Sequence, residues 1–138
     1  MSSPRFYCPL PLSTGQSVEL PEGAARHAVK ALRLRIDDAL TLFDGSGGEH
    51  AARIASIERE RVTVEVLAWH DVERESPLAV TLIQALQSGE KMDLTVQKAV
   101  ELGVAGIVPV ISRRSVVRLE GERALRRVAH WRGVTVSA

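Results

Sequence analysis

Residues Gln84–Ser115 read QALQSGEKMDLTVQKAVELGVAGIVPVISRRS. An apolar run from Leu78 to Leu86 enters a polar turn around Ser88 and Gly89. Helical periodicity follows from about Lys91 to Leu102 and stops at Gly103. A second apolar run, Ile107 to Ile111, ends in Ser112, Arg113, Arg114 and Ser115. This order predicts a parallel strand pair joined by a right-handed helical crossover. Leu94, Val96, Ala99 and Leu102 are expected on the inner face of the helix, with Lys98 and Glu101 outside as an i,i+3 pair. Open α/β sheets take ligands beyond the carboxyl ends of their strands. Gln84, Gln87 and Lys91 stand at the first such end, and Arg113, Arg114 and Ser115 at the second.

A chain of 138 residues with 45% hydrophobic composition can bury a core as one domain or two small ones. Its net charge of +1 alone predicts no polyanion partner. The basic residues are nevertheless clustered. Arg26, Lys30, Arg33 and Arg35 form one group; Arg113, Arg114 and Arg118, continued by Arg123, Arg126 and Arg127, form another. That pattern fits docking on nucleic acid at one face. The lone Cys8 excludes a disulfide framework and a cysteine metal cluster, and no metal site is expected. The sequence shows no signal peptide or long apolar span, so a cytoplasmic protein without membrane contact is expected.

Ahead of Gln84, the prolines at 4, 9 and 11 suggest an extended arm from which Arg5 and Tyr7 project, followed by an edge strand at Ser17–Leu20. Pro21, Glu22 and Gly23 open a helix, with Ala24, His27, Ala28, Ala31 and Leu32 on an apolar face and Arg26, Lys30 and Arg33 opposite. Strands are expected at Ala39–Phe43, Glu49–Ile57 and Arg61–Ala68. Asp44-Gly45-Ser46-Gly47-Gly48 joins the first two as a hairpin; it precedes a strand and so does not read as a phosphate loop. Several short strands and one helix suggest a small, partly open β-barrel over residues 1–70. The charged segment His70–Pro77 is the expected boundary, with residues 77–138 forming an α/β unit. A last helix, Gly121–Trp131 and onward, is expected to turn Leu125, Val128 and Ala129 inward, with Trp131 a further candidate for that face. Two parallel strands and two helices leave an unfinished sheet, so further chain or a partner is expected to complete it.

Several runs together resemble the RsmE family of bacterial rRNA uridine-N3 methyltransferases, in the SPOUT superfamily. They include His27-x-x-x-x-Leu32-Arg33-Leu34-Arg35, Leu42-Phe43-Asp44-Gly45-x-Gly47-Gly48-Glu49 and Gln84-Ala85-Leu86. Gly89-Glu90-Lys91-Met92-Asp93, Gln97-Lys98-Ala99-x-Glu101-Leu102-Gly103-Val104 and Arg114-Ser115-Val116-Val117 continue them in the family's order. The resemblance implies an α+β two-domain fold. A PUA-like β-barrel that docks on RNA is followed by the N-terminal part of a knotted SPOUT methyltransferase domain. It further implies a homodimer that uses S-adenosylmethionine to methylate N3 of a uridine in 16S rRNA of the small ribosomal subunit. The chain departs from the family where it ends, before the C-terminal knot and its cofactor pocket, and Arg113 stands where an acidic residue is more usual. A truncated, proteolysed or incomplete product, inactive alone and without a complete cofactor site, is the expectation.

Methylating N3 requires loss of the imide proton and in-line placement of the nitrogen. Arg114 is the candidate to stabilise the imide anion or hold a phosphate, Ser115 to hydrogen-bond a uracil carbonyl, and Lys91 to neutralise phosphate. Arg5, Arg26, Lys30, Arg33 and Arg35 are the candidate RNA contacts. Two other classes remain compatible with these residues: a noncatalytic RNA-binding module, and an interaction domain completed by another chain.

Overall fold

A computed structural model describes residues 3–74 and 76–138. Within the expected boundary segment, Glu75 lies outside the described residues. The chain divides into two compact units, Met1–Glu73 and Arg74–Ala138.

The first unit is a five-stranded sheet in the order β1-β3-β4-β5-β2. Its strands are β1 (Arg5–Tyr7), β2 (Ser17–Glu19), β3 (Ala39–Phe43), β4 (Glu49–Glu58) and β5 (Arg61–His70). All pairings are antiparallel except β1 with β3, which is parallel. The N-terminal arm is thus a paired edge strand: Thr41 N–H bonds Pro4 O and Cys8 N–H bonds Phe43 O, both at 2.9 Å. Alternation sets the core, as the period of two requires. Leu40 and Leu42, Ala52 and Ile54, and Val62, Val64 and Val66 are buried together with Phe6, Cys8, Val18 and Leu20. Each fully buried aliphatic side chain contributes roughly 1.5–3 kcal/mol. Between β4 and β5 the register shifts at Ala51/Ala52 and at Ile54/Ser56, and such bulges add twist and curl to a sheet. In the β3–β4 turn, Gly48 has φ +69°, and a Cβ there would stand 2.5 Å from Trp69 Nε1. Only glycine lets that indole lie across the turn.

The helix between β2 and β3 differs from the expected one. α1 (Glu22–Arg26) passes into a π-helical turn at His27–Ala31, closed by Leu32 N–H to His27 O at 3.0 Å. The wider turn rotates the following residues, so Ala25 and Ala28 are buried while Ala31 and Leu32 are exposed. His27 is exposed and meets Phe6 edge to face at 6.0 Å.

The second unit holds β6 (Thr81–Ala85), α2 (Glu90–Glu101), β7 (Gly106–Val110) and α3 (Gly121–Ser137), with β6 and β7 parallel. α2 ends in a left-handed glycine cap. Gly103 has φ +81°, Val104 N–H bonds Ala99 O at 3.0 Å, and Gly103 N–H bonds Val100 O at 2.8 Å. The core is small: Leu86, Met92, Val96 and Trp131, with Ile107, Val117, Leu119, Val128 and Val134 against them. The expected inner faces of both helices are corrected in part: Val96 and Val128 join the core as expected, but Ala129 is exposed. Leu94 and Leu102 are 56% and 85% exposed and Leu125 is 71% exposed. α2 packs on α3 through the stripe Met92–Val96, and two strands are too narrow to cover its opposite side.

Candidate functional site

β6 and β7 align Thr81–Ala85 with Gly106–Val110, and Leu86 N–H extends the ladder to Val110 O at 2.9 Å. The two strand exits therefore leave side by side. From the first, the chain turns through Gly89 (φ +58°) into α2. Thr95 Oγ1 lies 2.7 Å from Gln87 Oε1 and 3.0 Å from Lys91 O, so one hydroxyl ties the exit loop to the first turn of the helix. Lys91 is exposed there and has no ion-pair partner among the described residues. Gln84, by contrast, donates Nε2–H to Ala85 O at 2.9 Å and remains in the strand.

From the second exit, Ser112–Ser115 forms a tight turn. Ser115 N–H bonds Ser112 O at 3.1 Å, Ser112 N–H bonds Ser115 Oγ at 3.0 Å, and the two hydroxyls are 2.9 Å apart. Arg113 and Arg114 occupy the tip of that turn, exposed and unpaired among the described residues. Ser115 Oγ is engaged within the turn, accepting from Ser112 N–H and sharing a hydrogen bond with the Ser112 hydroxyl in which either can donate. The arrangement brings a lysine from one strand exit and two arginines from the adjacent one to the same sheet edge. Together they present a cationic rim suited to phosphate or to an oxygen gaining charge.

Asp93 is the residue that pattern reading missed. Its Oδ2 stands 2.7 Å from His130 Nε2 and its Oδ1 accepts the Trp131 indole N–H at 3.1 Å. One carboxylate thus fastens the first turn of α2, which carries Lys91, to the middle of α3. The only local signal was an acidic residue beside the buried Met92. Its partners lie 37 and 38 positions away. Glu101 is a surface residue, 2.6 Å from Lys98, whose hydrogen bond holds its carboxyl below the usual range.

In the first unit the expected cationic helix face is reduced to Arg26 and Lys30, both exposed and both ion-paired. Arg26 pairs with Glu22 at 2.6 Å and Lys30 with Glu60 at 2.6 Å, and the Lys30 ammonium keeps the Glu60 carboxyl below its ordinary value. Arg33 falls beyond the helix at φ +55°, because the π turn ends at Ala31. Arg35 is exposed, and its backbone N–H donates to Asp38 Oδ2 at 2.7 Å. Arg5 meets Glu49 at 3.2 Å and lies over the Phe43 ring at 4.9 Å, with Tyr7 beside that ring at 5.7 Å. Among the described residues no group of three or more His, Cys, Asp or Glu is placed to hold a metal ion. Among the described residues no helix is long and apolar enough to cross a membrane.

Two family models match. One is described as an RNA methyltransferase PUA domain, over residues 20–67; the other is described as an RNA methyltransferase domain, over residues 74–138. The ribosomal RNA small subunit methyltransferase E of Bacillus subtilis is 28% identical over 112 residues, 81% of this chain and 44% of the relative. The protein of that name from Rickettsia conorii is 32% identical, over 79% of this chain and 45% of the relative. Among solved structures, ribosomal RNA small subunit methyltransferase E from Neisseria gonorrhoeae, bound to S-adenosylmethionine, superposes with a TM-score of 0.90 at 50% identity. It covers 98% of this chain and 55% of that one. A putative methyltransferase from Legionella pneumophila, in complex with the same cofactor, gives 0.94 at 34% identity over 99% of this chain and 57% of that one. The chain spans about half the length of these relatives.

Proposed function

This chain belongs to the RsmE family of RNA methyltransferases, and on that premise we propose that it is part of an S-adenosylmethionine-dependent enzyme that methylates rRNA of the small ribosomal subunit. The finer reading is N3 of a uridine in 16S rRNA, methylated by a cytoplasmic homodimer. Residues 1–70 would dock RNA, through Arg5, Arg26, Lys30, Arg33 and Arg35. Residues 77–138 would be the N-terminal portion of the catalytic domain. The observation that carries the proposal is the pairing of the two strand exits through Leu86 and Val110, with Lys91 on one and Arg114 and Ser115 on the other.

The residues present do not make a cofactor pocket by themselves. Among the open grooves of the second unit are two of about 680 and 470 Å³ that run along its sheet and helices. The larger is lined mainly by aliphatic side chains, including Leu78, Val80, Leu82 and Leu94. The smaller includes Val96, Val100, Ile107 and Val128. Neither is lined by Lys91, Arg114 or Ser115. The polar side chains in these walls are few, Ser76, Gln84, Thr95 and Lys98 in the larger and Arg132 and Thr135 in the smaller, and both grooves are open, so no step is derived through the cofactor and the chain alone should be inactive. What its own residues supply is electrostatic. Lys91 neutralises a phosphate beside the target. Arg114 presents a planar fork of donors to a uracil oxygen as the imide loses its proton, and the Ser115 proton orients the other carbonyl.

The test is methylation of small-subunit particles by the complete protein with isotopically labelled S-adenosylmethionine, followed by mass spectrometry of the digested nucleosides. Label on N3 of uridine is expected. Label on a ribose hydroxyl or on a carbon of the base would overturn the N3 reading, and no label in rRNA would overturn the activity.

A further inference from the structure

Charge is distributed unevenly along this chain. The unit Met1–Glu73 carries eight Lys and Arg against eleven Asp and Glu. The last 27 residues, from Ser112, carry seven arginines against Glu120 and Glu122. Pairing sharpens the contrast. Arg5, Arg26, Lys30 and Arg53 of the first unit each stand within 4 Å of a carboxylate. Among the described residues Arg126 alone on α3 is so paired, with Glu122 at 3.0 Å. Arg123 and Arg127 are exposed with no partner among the described residues, and so are Arg113, Arg114 and Arg118 leading into the helix. Arg123 and Arg127 lie one turn apart on one edge of α3, about 6 Å along its axis. A free guanidinium releases a condensed counterion when it meets a phosphate; one already neutralised by a carboxylate must first give up that partner.

We propose that the Arg123–Arg127 edge of α3, continued by Arg118, binds the RNA phosphate backbone and outweighs the contribution of the first unit. The proposal rests on the reading of the chain as RNA-directed. Sequence specificity is not assigned to this edge, since its groups meet phosphates and not base edges.

Fluorescence anisotropy tests it with this chain and a labelled single-stranded RNA of mixed sequence, titrated over a range of salt. Arg123→Glu with Arg127→Glu should weaken binding roughly tenfold or more and flatten the slope of log K against log salt by about 1.4, two contacts at about 0.7 each. Glu122→Gln frees Arg126 and should tighten binding, a gain that misfolding cannot imitate. Arg33→Glu should have the smaller effect. If Arg33→Glu abolishes binding while the α3 variants match wild type, the RNA reading stands and the α3 surface is wrong. If the wild-type chain fails to bind RNA at low salt, both fall. Preference for vesicles of anionic phospholipid over RNA would also overturn the assignment.

Discussion

Arg114 sits at the tip of a turn braced by Ser112 and Ser115, so its backbone is fixed while its guanidinium is free. In the methyltransferase proposed above, Arg114→Ala should lower kcat at saturating RNA with little change in KM if the fork acts on developing charge. A raised KM with unchanged kcat would make it an RNA anchor. Lysine there should restore the enzyme only in part, because it keeps the charge and loses the bidentate geometry. Asp44 makes a prediction of a different kind. Its carboxylate accepts Ser46 N–H at 2.8 Å and Ser46 Oγ–H at 2.6 Å, and those bonds hold its pKa below the ordinary value. A depressed carboxyl contributes stability above the unfolded pKa of about 3.9, and that contribution is lost as pH falls through the lower folded value. Asp44→Asn should therefore give a shallower acid limb in a plot of melting temperature against pH. Equal limbs for the two proteins would refute the role.

At the scale of elements, two joints decide whether the second unit holds its shape. The Asp93 bracket joins α2 to α3 through His130 and Trp131. Asp93→Ala leaves the part-buried indole N–H without its acceptor, at a cost of about 1–3 kcal/mol, measurable by urea unfolding. The Gly103 cap is the second joint. Its φ of +81° is unfavourable for any side chain, and a Cβ would stand 3.2 Å from Ser76 Cβ. Gly103→Ala should cost more than about 1 kcal/mol. Elements whose signals are local were legible in the sequence. β3 at Ala39–Phe43, the helix start after Pro21 and the stop at Gly103 stand where the residues placed them. The faces of the helices were legible only in part, because a face is chosen by what packs on it. Val96, Val128 and Trp131 turn inward as expected and Met92 joins them, yet Leu94, Leu102 and Leu125, apolar at helical spacing, are exposed. The same holds for Arg33, displaced from the helix by a π turn that periodicity does not reveal.

At the scale of the whole molecule, the two units are built differently. The first closes a continuous core of alternating valines, leucines and isoleucine. The second leaves Leu78, Ile83 and Leu102 more than 60% exposed. Buried apolar area is the main source of stability, so the first unit should be the more resistant to denaturant. Hydrogen exchange should show slowest amides in β4 and β5. Slower exchange in α2 or α3 would contradict this ordering. The parallel pairing of β6 with β7, which sets their exits side by side, was legible from the strand–helix–strand order of the sequence. The acidity of the first unit can be counted in the sequence, but which of its cations are ion-paired emerged only once each was followed to its partner.

The chain contains two tryptophans, one in each unit, and they differ in environment: Trp69 is 52% exposed across Gly48, whereas Trp131 is 7% exposed and donates to Asp93. Nature has thereby supplied a pair of optical reporters. Acrylamide should quench the red-shifted emission of Trp69 readily and that of Trp131 poorly. With Trp69→Phe and Trp131→Phe in hand, melting of each half can be followed separately in one unlabelled sample.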